Sequence, residues 1–353
     1  MRIGIPREVK PKEGRVGLIP AAAAELVRRG HEVWVETQAG SQSGYTDQLF
    51  EAVGCRIAAS HAEVFDRGEL IIKVKEPIRE DLACLKKDHL LFCYLHLAPL
   101  PELTEALIKL KLTAVAFETV EESSHRLPLL APMSDIAGRL SIQIGTHLLH
   151  QPQGGKGILL GGVTGSRRGR VTVVGAGVAG GSAVEVAAAL GAQVTVFDLD
   201  LDKLERMRLM GSNVTALYAH ADDVARSVSQ SDLVIGAVLI TGEKAPHVIS
   251  KDMVRSMQPG SVIVDISVDQ GGCVESTIPT TYEQPTYVWE NITHFTVTNM
   301  PGAVPRTSSQ ALSAAITPYA IQLADGSWRQ SDALRKGINV EGGRIVHPAL
   351  MKH

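Results

Sequence analysis

The sequence predicts an α/β protein of two doubly wound, Rossmann-like domains separated by a cleft, the first of them discontinuous. Three observations predict it. Short β-branched runs alternate with helical stretches from the first residues onward, which implies parallel sheets covered on both faces. Residues 171–198, VTVVGAGVAGGSAVEVAAALGAQVTVFD, hold a complete strand, glycine turn, helix, strand and acid. Beyond Pro301, the helical stretch 308–323 is too short to be a domain and has nothing of its own to cover its apolar face, so it is expected to return to the N-terminal domain. The expected domains are 1–130 with 305–353, and 131–304.

In chain order, strands are expected at 2–5, 32–36, 69–75, 90–95 and 114–117. The helices between them run over 20–29, begun by Pro20 and stopped by Gly30, then 46–53 and 101–110. Residues 132–150 read as a long helix with Ser134 as its N-cap, ending in the turn-rich stretch 151–157, which looks like a hinge. The second block places strands at 171–174, 193–197, 233–237, 261–266 and 295–298. Residues 333–353 carry little chemical information, and no repeat or low-complexity tract is found.

The chain has 353 residues, more than one ordinary core holds, and a net charge of −3 that argues against a nucleic-acid surface. No apolar run reaches the length of a membrane span, and the N-terminus has no signal-peptide core, so a soluble cytoplasmic protein is expected. The four cysteines are widely spaced without a CxxC pair, which suggests buried free thiols. The histidines lack HxxxH or HExxH spacing, and no metal site is assigned.

Each glycine of the turn has a task that a side chain would obstruct. Gly175 turns off the strand, Gly177 admits a pyrophosphate near the backbone, and Gly180 lets the helix lie close to the sheet. The helix beginning at Val178 presents free N–H groups and a partial positive charge to the phosphates. Asp198 ends the second strand at about the ~20-residue spacing the motif requires, where a carboxylate accepts from both ribose hydroxyls and repels a 2′-phosphate. NAD is therefore expected over NADP.

Four polar residues at strand ends are candidates for the chemistry, since ligands of open α/β sheets bind beyond the carboxyl ends of the strands. Lys75 closes the strand ending KVK. It is either part of a solvated or edge-blocking pair with Lys73 or a cation for a substrate carboxylate. His96 is either a satisfied core polar group or a proton-transfer group. Arg15 reads alone as a solvated surface residue, with a bidentate carboxylate clamp as the alternative. Asp269, ahead of two glycines, is a turn former or a proton acceptor beside a nicotinamide.

From end to end the chain resembles the alanine dehydrogenase and nicotinamide nucleotide transhydrogenase N-terminal family, and its alanine dehydrogenases in particular. The stretches that carry the resemblance are RIGIPREVKPKEGRVGLIP, KVKEP at 73–77, LHLAP at 95–99, PLLAPMSDIAGRLS at 128–141, GAGVAG, LVIGAVL at 233–239, DISVDQGGCVE at 265–275, PTTY at 279–282 and TNMPGAVPRTSS at 298–309. The resemblance implies NAD-dependent, reversible oxidative deamination of L-alanine to pyruvate and ammonia. Arg15 and Lys75 would bind the substrate, and His96 and Asp269 would form the acid/base pair. Cofactor contacts would come from Ser134, Asp198, Lys203, Val238, Leu239, Ile266, Asn299 and Met300, beside the glycine turn. It also implies a homo-oligomer, a hexamer or smaller even assembly. Because the chemistry is helped by a dry, closed cleft, closure about residues 151–157 is expected. Ala219 stands where some relatives carry a serine on the adenosine side of NAD, and the chain is shorter than typical members at its C-terminus. The competing expectations are a transhydrogenase NAD-binding component, an opine-type or other amino-acid dehydrogenase, and an NAD-binding regulator.

Overall fold

The computed structural model describes residues 1–238 and 245–352. The chain forms two compact units, Met1–Met133 with Gly302–His353, and Ser134–Pro301. The chain passes from one unit to the other at residues 133–134 and 301–302.

The first unit opens with six parallel strands: β1 (Arg2–Ile5), β2 (Glu32–Glu36), β3 (Arg56–Ala58), β4 (Leu70–Ile72), β5 (Leu90–Cys93) and β6 (Thr113–Ala116). They lie in the order β3-β2-β1-β4-β5-β6, so the winding reverses between β1 and β4. Such a switch point opens a crevice beyond the strand ends. Strands β4 and β5 end earlier than the expected 69–75 and 90–95. Side-chain carboxylates take over there: Glu8 accepts from the Val74 amide at 2.6 Å, and Glu118 from the His96 amide at 2.6 Å. Proline at the first position starts the helices Pro20–Arg28 and Pro101–Leu110, where its missing N–H costs nothing. The helix Ala131–Leu148 begins before Ser134, because the Ala131 amide already donates to the Leu127 carbonyl at 3.0 Å. Ser134 is therefore inside the first turn and is not the expected N-cap.

The second unit holds β7 (Arg170–Val174), β8 (Gln193–Asp198), β9 (Val214–Tyr218), β10 (Leu233–Gly236), β11 (Val262–Asp265), β12 (Thr286–Trp289) and β13 (Ile292–Phe295). Their order, β12-β13-β11-β10-β7-β8-β9, repeats the same winding with its reversal between β7 and β10. Strand β9 was not expected; it is an edge strand without clean alternation. The expected strand at 295–298 is displaced to Ile292–Phe295. It pairs antiparallel with β12 through Glu290 and Asn291, both at positive φ (52° and 61°), as a two-residue hairpin requires. The expected hinge at 151–157 is also corrected. That segment is tied down inside the unit by the Lys156 amide donating to the Gly260 carbonyl at 3.1 Å and by Lys156 Nζ on Asp232 at 2.7 Å.

The chain then returns to the first unit with the helix Pro305–Ala324, β14 (Ile338–Glu341) and β15 (Arg344–Ile345). Strand β14 pairs antiparallel with β6 and extends that sheet to eight strands, so the tail contributes a hairpin that was not expected. Ser309 and Ser313 of the helix accept from the amides of Val16 and Ile19, at 3.0 and 2.9 Å. No described helix is long and apolar enough to cross a membrane.

Candidate functional site

In the first unit, charged side chains collect where β1, β4, β5 and β6 end. Arg15 follows β1 and is 2% exposed, which corrects its reading as a solvated residue. Glu13 forks its guanidinium, accepting from Nε at 2.7 Å and from Nη2, while Nη1 faces the Met133 sulfur at 3.2 Å. A buried cation of this kind persists only because a carboxylate is held against it. The loop carrying both is anchored to the serines of the returning helix.

Lys73 and Lys75 do not behave as a pair. Lys73 is 1% exposed, in contact with Asp81 at 3.1 Å and Glu8 at 3.4 Å, and it follows a central strand, which removes the edge-blocking reading. Burial opposes its charge, yet Glu8 and Asp81 outweigh this and hold its pKa above the ordinary lysine value. Lys75 is partly exposed, and its pKa is pushed down, first by burial and then by the charge of Arg15. The neighbouring Glu76 is buried and ion-paired with Lys10.

His96 lies just past β5, with 29% of its side chain exposed and a backbone φ of 48°. A histidine in this left-handed region stores about 1–3 kcal/mol of strain, a condition associated with functional positions. Tyr94 stacks on its ring with centroids 5.7 Å apart and planes at 5°, and the Tyr94 hydroxyl donates to the Leu129 carbonyl at 2.6 Å. Tyr94 itself is buried and its phenol pKa is raised by burial.

In the second unit the glycine turn has the geometry its sequence demands. A Cβ on Gly180 would fall 1.7 Å from the Gly175 carbonyl oxygen, and one on Gly175 would fall 2.5 Å from the Ala237 carbonyl oxygen. Around Gly177 nothing lies within 4 Å of the same construction. Gly177 is the N-cap of the helix Val178–Ala189. Asp198 accepts from the Ala176 amide at 2.6 Å, and Lys203 stands 3.9 Å from it. Ala219 joins this cluster through its amide, which donates to the Asp198 carbonyl at 3.1 Å. The first turn of Ala131–Leu148, which contains Ser134, is linked to the same helix by Ser182 donating to Asp135 at 2.7 Å.

Val238 and Ile266 follow the neighbouring strands β10 and β11, and the Ile266 amide donates to the Gly236 carbonyl at 2.8 Å. Leu239 lies outside the described residues. Asn299 and Met300 follow β13, with Tyr282 donating to the Met300 carbonyl at 2.8 Å. Asp269 is exposed in a single helical turn, Val268–Gln270. That turn hangs from the fully buried Asp265, which accepts from the amides of Ser267 (3.0 Å), Cys273 (3.0 Å) and Val274 (3.1 Å) and from the Thr277 hydroxyl (2.9 Å). Burial nonetheless raises the Asp265 pKa. The first unit thus gathers Arg15, Lys75 and His96, and the second the glycine turn, Asp198 and Asp269. Sequence reasoning missed Glu8, Glu13, Glu118 and Asp265. The only signal for the first two was their place in the charged loop after β1.

Comparison with known proteins gives the family. Residues 4–137 match the family description "Alanine dehydrogenase/PNT, N-terminal domain", and residues 141–348 match "Alanine dehydrogenase/PNT, C-terminal domain". An alanine dehydrogenase of Methanococcus maripaludis is 45% identical over 100% of this chain and 96% of its own length, and one of Bacillus subtilis is 45% identical over 100% and 94%. A solved L-alanine dehydrogenase superposes with a TM-score of 0.96 at 47% identity, covering 100% of this chain and 98% of the other. A transhydrogenase from Sinorhizobium meliloti shares the fold, with a TM-score of 0.85 at 24% identity over 99% of this chain and 100% of the other. With both domain descriptions matched in sequence order and the identity sustained over the full length, the chain belongs to the alanine dehydrogenase/PNT family.

Proposed function

We propose that the chain catalyses the NAD-dependent, reversible oxidative deamination of L-alanine to pyruvate and ammonia. One observation carries the reading beyond the family: two partly to fully buried cations, Arg15 and Lys75, follow the strands that flank the switch point, with His96 following the next strand. A small carboxylate is the ligand that such a pair recognises.

The residues of the second unit fit NAD. The space off Gly177 is open where a pyrophosphate approaches the backbone, and Asp198 stands at the turn as the ribose acceptor. Ser134, Gly175, Gly177, Val178, Gly180, Lys203, Val238, Leu239, Ile266, Asn299 and Met300 complete the proposed cofactor set. When bound, NAD supplies the acceptor for the hydride of the alanine Cα.

The protein's own groups do the rest. Lys75 and Arg15 hold the substrate carboxylate, Glu13 keeping the guanidinium plane fixed. The amine reacts as its free base, its ammonium proton having passed to solvent, and loss of the hydride leaves iminopyruvate in its protonated (iminium) form. His96 or Asp269 takes a proton from the water that adds to the imine, then returns it to the departing nitrogen, giving pyruvate and ammonia. The enzyme acts as a homo-oligomer, a hexamer or smaller even assembly, in the cytoplasm.

The test is NADH consumption with ammonia and a panel of 2-oxo acids, repeated with NADPH. Preference for pyruvate and NADH is the expected result. Turnover of a different acid keeps the mechanism and overturns the substrate, and NADH binding without turnover overturns the reading. Light scattering with sedimentation checks the assembly.

A further inference from the structure

Resting on the role proposed for His96, we propose that Glu118 is the positioning residue of that histidine, holding its backbone in the left-handed conformation from which the imidazole acts. Three observations place it there. The Glu118 carboxylate accepts from two successive amides, Leu95 at 3.2 Å and His96 at 2.6 Å, which is the pair of donors that a strand must surrender when the chain turns into positive φ. The same carboxylate reaches the ring, with Oε1 4.0 Å from His96 Nδ1. The opposite constraint on the ring comes from Tyr94, stacked on it and tied by its hydroxyl to Leu129.

Glu118 is in turn held from behind. It occupies the short helical turn Phe117–Thr119 after β6. Thr119 donates to the Gly337 carbonyl at 3.2 Å and accepts from Asn339 Nδ2 at 2.7 Å, so the returning C-terminal segment braces the turn. The order of dependence runs from Asn339 through Thr119 and Glu118 to His96. Without the carboxylate, two amides lose their acceptor and a non-glycine residue has no reason to stay at positive φ. The imidazole then leaves the position from which proton transfer is possible, while Arg15, forked by Glu13, and Lys75, whose backbone amide donates to Glu8 at 3.4 Å, are not disturbed.

The experiment is a double-mutant cycle on the full chain with NADH, ammonia and pyruvate. Glu118→Ala is expected to lower kcat by about 10–100-fold, as an ångström-scale misplacement does, with KM for pyruvate and Kd for NADH changed less than about threefold. Glu118→Gln keeps an acceptor of the same reach and is expected to recover most of the loss. In a His96→Ala background, Glu118→Ala is expected to cost nothing further. Losses that multiply in that background overturn the inference and leave the role of His96 intact. Wild-type turnover in His96→Ala alone overturns the role of His96, and the inference with it. If Glu118→Ala does not fold, Glu118→Gln and Glu118→Asp carry the test: Gln retains kcat, and the shorter Asp loses it only where His96 is present. Equal losses in Gln and Asp overturn the inference.

Discussion

Lys73 and Lys75 stand two positions apart in one strand-end sequence and meet opposite surroundings. Lys73 lies between Glu8 and Asp81, and replacing it with Met strands two buried carboxylates. Loss of one partner from a buried pair costs about 3–5 kcal/mol, so Lys73→Met is expected to lower Tm severely in a thermal melt. Lys75 has burial and the charge of Arg15 working against its proton. Lys75→Ala is expected to lower kcat/KM for pyruvate by about 100-fold, because a charged hydrogen bond of ~2–3 kcal/mol disappears, with little change in Tm. Its downward shift also has a sign in pH. The proton leaves below the ordinary lysine range near ~10.4, so KM for pyruvate should begin to rise at a lower pH than a solvated lysine would give. Initial rates across the alkaline limb check this. Neither fate was legible in the sequence: the partners of Lys73 and Lys75 come from other elements, and strand period alone put both lysines on one face.

At the scale of elements, the returning helix Pro305–Ala324 acts on the site through serines. Ser309 accepts from the Val16 amide and bonds Ser43 at 2.8 Å, next to the loop that carries Arg15. Ser309→Ala leaves a buried amide without its acceptor, a cost of about 1–3 kcal/mol. A lower Tm and a raised KM for pyruvate are expected together, and a changed Tm with unchanged KM would separate the helix from the site. A second set of links joins β2 to the helix after β4, where His61 sits between Glu36 at 2.8 Å and Asp81 at 3.3 Å. Burial opposes its charge, but the two carboxylates raise its pKa to about 9. The folded value lies above the unfolded one near ~6.5. Its stabilisation is therefore complete below ~6.5 and is lost as pH rises through about 9. Wild type should exceed His61→Asn by ~1 kcal/mol, or about 2–4 °C, at pH ~6, with the gap closing by pH ~10. The glycine turn was legible because its demand is local: strand, glycines, helix and acid are contiguous. Glu8, Glu118 and Asp265 were not, since each serves backbone amides whose need arises only after folding.

For the whole molecule, the two sheets wind alike, and that much followed from the alternation of apolar runs. What escaped was at the edges. Strand β9 lacks alternation, β12 and β13 turn through Glu290-Asn291 without a glycine, and β14 with β15 turns through Gly342-Gly343, a hairpin signal present in the sequence. NADH at 100 times its Kd should stabilise the folded chain by about 2.7 kcal/mol, read as a rise in Tm, with amide exchange slowed around Gly175–Gly180 and Asp198. Protection there without a Tm rise would mean that the first-melting unit is not the one that binds. The discontinuity of the first unit bears finally on how the protein is born. Strand β6 ends at Ala116, and the β14 that covers its outer edge begins at Ile338. At a synthesis rate of about 5–20 residues per second, that edge waits roughly 10–45 s for its partner on the ribosome. The second unit is complete in one continuous stretch before then. During that interval the nascent chain presents an unpaired strand edge of the kind chaperones retain, so ribosome-bound chains halted before residue 338 should be the aggregation-prone ones.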